Sequence, residues 1–157
     1  RSAAYPLAIP YRLINMYSIQ DDTVLDPFWG TGTTTLAAMI AGRNSVGYEL
    51  DEAFVRRFDQ RVERVPDRSR AVVNQRLRDH LAFVAGRQES GEPFSYEAEH
   101  YDVPVMTKQE RSIQLYTVCD VERIEDGYEV RHEPVTDVPD DGTGQAGGRG
   151  DRSLTDF

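Results

Sequence analysis

The chain has 157 residues, enough for one domain with its own core. Its net charge of −9 argues against nucleic-acid binding through overall basicity. No apolar run approaches the roughly 18 residues that would read as a membrane span, and nothing reads as a signal peptide.

The basic residues are seventeen Arg and the single Lys108. Many acids with almost no Lys is the balance that a salt-rich cytosol or a GC-rich genome produces, and composition does not separate the two. In strong salt, phosphate contacts are screened, so overall basicity matters less. The charge is also uneven. Between Arg56 and Arg78 lie eight Arg against Asp59, Glu63 and Asp67, whereas acids predominate from Glu99 to Asp141. The lone Cys119 excludes an internal disulfide and suits a cytoplasmic setting; it is expected as a half-buried strand residue.

In chain order, residues 5–18 read as a helix with Pro10 in its first turn and Leu13, Met16 and Tyr17 on one face. After a polar turn, Val24–Asp26 is a strand. A glycine-spaced bend (Gly30, Gly32) follows, then a helix from Thr33 to Ala41 with Leu36, Met39 and Ile40 on one side. Gly42 caps it, and Asn44–Leu50 is the next strand, with Glu49 at its tip. A helix opening at Asp51 or Glu52 buries Phe54, Phe58 and Val62, and Arg56, Arg57, Arg61 and Arg64 take its solvated faces. Pro66 and Asp67 break it. Residues 69–86 form a further helix lined by Val73, Leu77, Leu81 and Val84, stopped at Gly86, with His80 structural. Residues 88–110 read as loop. Ile113–Val121 and Tyr128–His132 form a β-hairpin about Asp126-Gly127, an appendage to the rest. Residues 137–157 have almost no apolar content and are expected to be disordered. The fold class is therefore α/β: parallel strands with flanking helices over 1–87, loop and hairpin over 88–136, and a tail.

A strand, a glycine bend and a helix start make a ligand site at the strand's carboxyl end. Gly30 and Gly32 admit unusual backbone angles and close approach. A phosphate-cradling loop would need Lys-Ser/Thr after the last Gly, but Thr33-Thr34 follows Gly32; a dinucleotide fingerprint would need Gly where Thr35 stands. Asp26 before the bend can accept hydrogen bonds from an ammonium group, which suits the amino-acid end of S-adenosylmethionine better than a polyanion. Glu49, at the second strand tip, is placed as a ribose-diol acceptor.

The run Asp26-Pro27-Phe28-Trp29-Gly30-Thr31-Gly32-Thr33-Thr34 resembles the cofactor motif of the amino-methylating DNA methyltransferases, which act on adenine N6 or cytosine N4. Gly47-Tyr48-Glu49-Leu50-Asp51 is similar to the second motif of that family, and Tyr5–Ile14 is similar to the segment before the cofactor motif in its circularly permuted members, which more often have His where Tyr5 stands. The resemblance covers residues 5–65. It implies a partial Rossmann-like methyltransferase fold that takes S-adenosylmethionine through Asp26, Pro27, Phe28, Gly30, Gly32, Thr33, Thr34 and Glu49, with Phe28 covering the cofactor, DNA as partner and no metal. Trp29 either packs inward or faces the pocket that a target base would enter. The family's Asp/Ser/Asn-Pro-Pro-aromatic tetrapeptide is missing, since the chain has no Pro-Pro pair, so no residue here is assigned as catalytic. In permuted members it lies upstream of the segment resembling residues 5–14, so a missing N-terminal catalytic segment or a partner chain is expected to supply it. A non-catalytic remnant or regulatory subunit that binds S-adenosylmethionine or nucleic acid is the alternative, and an RNA or small-molecule methyltransferase a third.

Overall fold

In a computed structural model, residues 5–136 are described. β1 (Thr23–Asp26) and β2 (Asn44–Gly47) pair in parallel, from Thr23↔Asn44 to Asp26↔Gly47, with α2 (Thr33–Ala41) as the crossover between them. Backbone bonds carry the pairing beyond the strands: Tyr48 N–H donates to the Asp26 carbonyl and Trp29 N–H to the Tyr48 carbonyl, both at 3.1 Å. The bend is thereby stitched to the tip of the neighbouring strand. The expected strand through Leu50 shortens to Gly47, because the chain turns there to carry Glu49 under the bend.

α2 is buried on nearly every side. Leu36, Ala37, Ala38, Met39 and Ile40 are all below a tenth exposed, rather than one face alone. It packs against β1, β2, α1 (Ala8–Tyr17) and α4 (Val65–Glu89). α1 buries Pro10 and Ile14, with Leu7 just ahead of it. The stripe Leu13, Met16 and Tyr17 points the other way and is 49, 62 and 79% exposed. Nothing among the described residues covers that side, where the second edge of β1 is also unpaired.

α3 (Glu52–Val62) starts as expected: the Asp51 carboxylate accepts the Ala53 N–H at 2.8 Å, an N-cap. Phe58 and Val62 face the core. α4 follows almost at once. Pro66 does not break the chain into loop; it sits in the first turn of α4, where its missing N–H leaves no bond unmade. Gly86 does not stop α4 either. The helix runs to Glu89, and Gly86 stays inside it with open space around its Cα; a glycine costs a helix about 1 kcal/mol relative to Ala, too little to end one this long.

The stretch expected as loop contains a small antiparallel ladder of β3 (Tyr96–Glu97) and β4 (Pro104–Val105), tied to α4 by His80, whose Nε2 bonds the Pro104 carbonyl at 2.9 Å. Beyond it, β5 (Tyr116–Ile124) and β6 (Gly127–Pro134) form the predicted hairpin, turning at Glu125-Asp126. It lies on the core. Val118 is 1% exposed and its N–H donates to Ser69 Oγ at 3.0 Å. His132 Nε2 bonds the Met39 carbonyl at 2.7 Å, and Tyr128 donates to Asp59 Oδ1 at 2.6 Å. A register irregularity between Val118 and Asp120 leaves Cys119 exposed rather than half-buried. Residues 1–4 and the tail expected over 137–157 lie outside the described residues.

Ser69 is 0% exposed, so Ser69→Ala strands a buried N–H. A stability loss of about 1–3 kcal/mol is expected, read from urea midpoints. Tyr128 gives a pH signature. Burial, and then its bond to Asp59, push its phenol up to about 12. A raised acid contributes stability that is complete below its unfolded value near 10 and lost as pH rises towards 12. Urea midpoints should fall over that window in the wild type, and Tyr128→Phe should lack this component.

Candidate functional site

The bend from Asp26 to Thr33 is shaped by what lies behind it. Gly32 caps α2 in the left-handed region, φ +71°, and a Cβ there would sit 2.3 Å from Phe58 Cδ2. Any other residue is excluded twice, by backbone strain and by the ring. Gly47 answers a second ring: a Cβ on it would meet Trp29 Cδ1 at 2.1 Å. Trp29 therefore packs inward, its centroid 4.6 Å from that of Phe58 and its Nε1 donating to Thr35 Oγ1 at 2.7 Å. The alternative of a base-facing Trp29 does not hold in this arrangement.

Both strand-tip carboxylates accept backbone N–H groups of the bend, Glu49 from Gly30 and Asp26 from Phe28. Glu49 accepts the Gly30 N–H at 2.7 Å on Oε2, and those of Leu50 and Asp51 at 2.8 and 2.9 Å on Oε1. A carboxylate offers about four lone-pair directions, so one on Oε2 stays open. Asp26 Oδ1 accepts the Phe28 N–H at 3.1 Å, while Oδ2 is buried with no hydrogen-bond partner among the described residues. An unpartnered buried carboxylate oxygen is costly unless a donor arrives. Phe28 and Leu50 stand out beside this pair, 90 and 102% exposed, and Pro27 is exposed before Phe28.

The two threonines differ. Thr34 is half-buried, with its Oγ1 2.6 Å from Tyr5 OH; Thr33 is 5% exposed and turns towards α3. There the Arg61 Nη1 donates to the Thr31 carbonyl, to Thr31 Oγ1 at 2.9 Å and to Thr33 Oγ1 at 3.2 Å. Arg61 was expected on a solvated face; it is half-buried instead. Burial, and then the charge of Arg68, lower its pKa. Helical periodicity alone could have flagged it, since Arg61 lies three residues after Phe58, on the same side of α3. A cleft of about 920 Å³ opens beside β2, with Trp29, Glu49, Phe58 and Tyr128 in its wall. A smaller apolar one, about 550 Å³, lies between α1 and β1 and is lined by Tyr5, Leu13 and Thr34.

The family model described as DNA methylase (N6_N4_Mtase) matches residues 2–60. Among curated relatives, the type II methyltransferase M.MthZI of Methanothermobacter thermautotrophicus is 49% identical over 116 residues, which are 74% of this chain and 31% of that protein. M.MjaI of Methanocaldococcus jannaschii is 60% identical over 53 residues, 34% of this chain and 18% of that protein. Among solved structures, TTHA0409 of Thermus thermophilus, complexed with S-adenosyl-L-methionine, is 43% identical with a TM-score of 0.38, covering 39% of this chain and 26% of that one. Residues 2–60 thus carry the similarity to the DNA methylases, and the matched relatives are type II methyltransferases. The chain spans less than a third of the length of these curated relatives. No helix among the described residues is long and apolar enough to cross a membrane.

Gly47→Ala should drive Trp29 out of its seat. The expected cost is about 1–3 kcal/mol, the usual range for overpacking. Trp29 is the only tryptophan, so the same variant should shift the wavelength of its emission maximum.

Proposed function

We propose that this chain is the S-adenosylmethionine-binding part of a site-specific DNA methyltransferase that methylates an exocyclic amine, adenine N6 or cytosine N4. The observation that carries the reading is the buried, unpartnered Oδ2 of Asp26 at the tip of β1, on a bend whose Gly30 N–H is held by the Glu49 carboxylate. The residues present fit the cofactor. Asp26 Oδ2 is an acceptor waiting for an N–H donor, which the ammonium group provides. Glu49 Oε2 keeps one direction open for a ribose hydroxyl. The exposed Phe28 offers an apolar face to the bound molecule, and Pro27 fixes the backbone that presents it. Gly30 leaves its side of the bend free for close approach, Gly32 sets the angle at which α2 begins, and Thr33 and Thr34 form the first turn of that helix.

The cofactor, when bound, supplies an electrophilic methyl group. The residues of this chain would bind and orient it; they do not hold the amine. The chain has no Pro-Pro-aromatic sequence to accept hydrogen bonds from a flipped-out base. Turnover on DNA would accordingly need that element from a further segment or a partner chain. As a working division, residues 1–87 form the cofactor-binding portion and 88–136 a loop and hairpin laid against it.

Calorimetry with S-adenosylmethionine tests the pocket. The 157-residue chain should bind, and Asp26→Ala and Glu49→Ala should each weaken binding about tenfold or more, the loss typical of a hydrogen bond to a charged group. Wild-type affinity in both variants would refute the assignment.

A further inference from the structure

The proposed pocket depends on a bend of uncommon backbone angles keeping one shape, and a bend of that kind needs something to hold it. We infer that Arg61 is the positioning residue of this bend, with its guanidinium serving as a brace from the side away from the ligand. The inference rests on the cofactor-binding reading given above and adds to it a residue outside all the motif segments.

Three observations carry it. The first is convergence: one nitrogen, Nη1, reaches the Thr31 carbonyl, the Thr31 hydroxyl and the Thr33 hydroxyl, on either side of Gly32. The second is the partner set. Six ion pairs occur among the described residues, and Arg61 is in none of them. Among those residues its charge is met by neutral oxygens of the bend alone. The third is location. Arg61 stands at the N-terminal end of α2, where the helix dipole is already positive, and near Arg68. Burial and that neighbour both oppose the charged form. A cation placed merely to add stability would be better at the other end of the helix, or beside an acid. What this position offers is control of the Thr31–Thr33 backbone, and so of the N–H of Gly30 that meets Glu49.

All three bonds use a single nitrogen, so the geometry asks for a point donor on a long stem. A lysine ammonium has three donors and can meet the same oxygens. The test is a pair of variants in the 157-residue chain, Arg61→Met and Arg61→Lys, read by calorimetry with S-adenosylmethionine, by acrylamide quenching of Trp29 and by thermal midpoint. Arg61→Met is expected to bind about tenfold more weakly and to expose Trp29 to quencher, and Arg61→Lys to recover most of both. A purely structural role would lower the midpoint and leave the affinity of the folded protein alone. Wild-type affinity in folded Arg61→Met overturns the inference, as does a lysine variant no better than methionine. If Arg61→Met does not fold, Thr31→Val decides: it removes one acceptor, and an affinity loss of about threefold or more supports the brace, whereas unchanged affinity overturns it. Failure of the wild type itself to bind would refute the cofactor reading. The brace would then stand or fall on the quenching of Trp29, which needs no ligand.

Discussion

The structure depends on a ring occupying the space of a missing methyl group. Phe58 lies where a Cβ on Gly32 would be, and Trp29 lies where one on Gly47 would be, with the two rings in contact. Four residues from the bend, the second strand and α3 thus share one packing unit. Close-packed interiors transmit such constraints, because no member can move without a neighbour giving way. Gly32 is held for that reason: flexible in isolation, it is backed here by the Phe58 ring, while Gly30 has no ring behind it. The face away from the rings is left to polar atoms, two carboxylates and the N–H of Gly30.

α3 distributes this constraint. Phe58 supports the bend, Arg61 bonds to it, and Asp59 between them accepts from Tyr128 and pairs with Arg123 of the hairpin. The edge-on contact of Phe58 and Tyr128, with centroids 5.8 Å apart, continues the aromatic series from Trp29 into β6. The hairpin is consequently mechanically joined to the bend by one helix, although a long stretch of chain lies between them. Its other attachments, Val118 on Ser69 and His132 on Met39, fix it to α4 and α2.

Much of this was legible in the sequence where local rules dominate. The helix at Thr33–Ala41 was bounded correctly because glycines at both ends set its limits, and Asp51 announced α3 by its capping chemistry. The hairpin followed from alternation, although its turn falls at Glu125-Asp126, one residue before the expected Asp126-Gly127, and Gly127 opens β6. What failed was tertiary in origin. The outward stripe on α1 has the right helical spacing, and spacing cannot say which side the core occupies. Pro66 and Gly86 carry local signals of interruption, but the first falls where a proline is harmless and the second where a long helix absorbs it. The carboxylates were visible because their motif is compact. Arg61 was read as solvated although its spacing from Phe58 puts it on the buried side of α3, and its bonds to Thr31 and Thr33 form only when α3 is folded back onto the bend.

The bulge in β5 has a chemical corollary. By inserting one residue out of step with β6, it turns the only sulfhydryl of the chain to solvent at Cys119. With no second thiol in this chain, an external oxidant would take Cys119 to a sulfenic or higher acid, to a disulfide joining two copies through their hairpins, or to a mixed disulfide with a small thiol. The redox state of a preparation therefore governs its apparent mass, while the strand tips on the far elements stay chemically untouched.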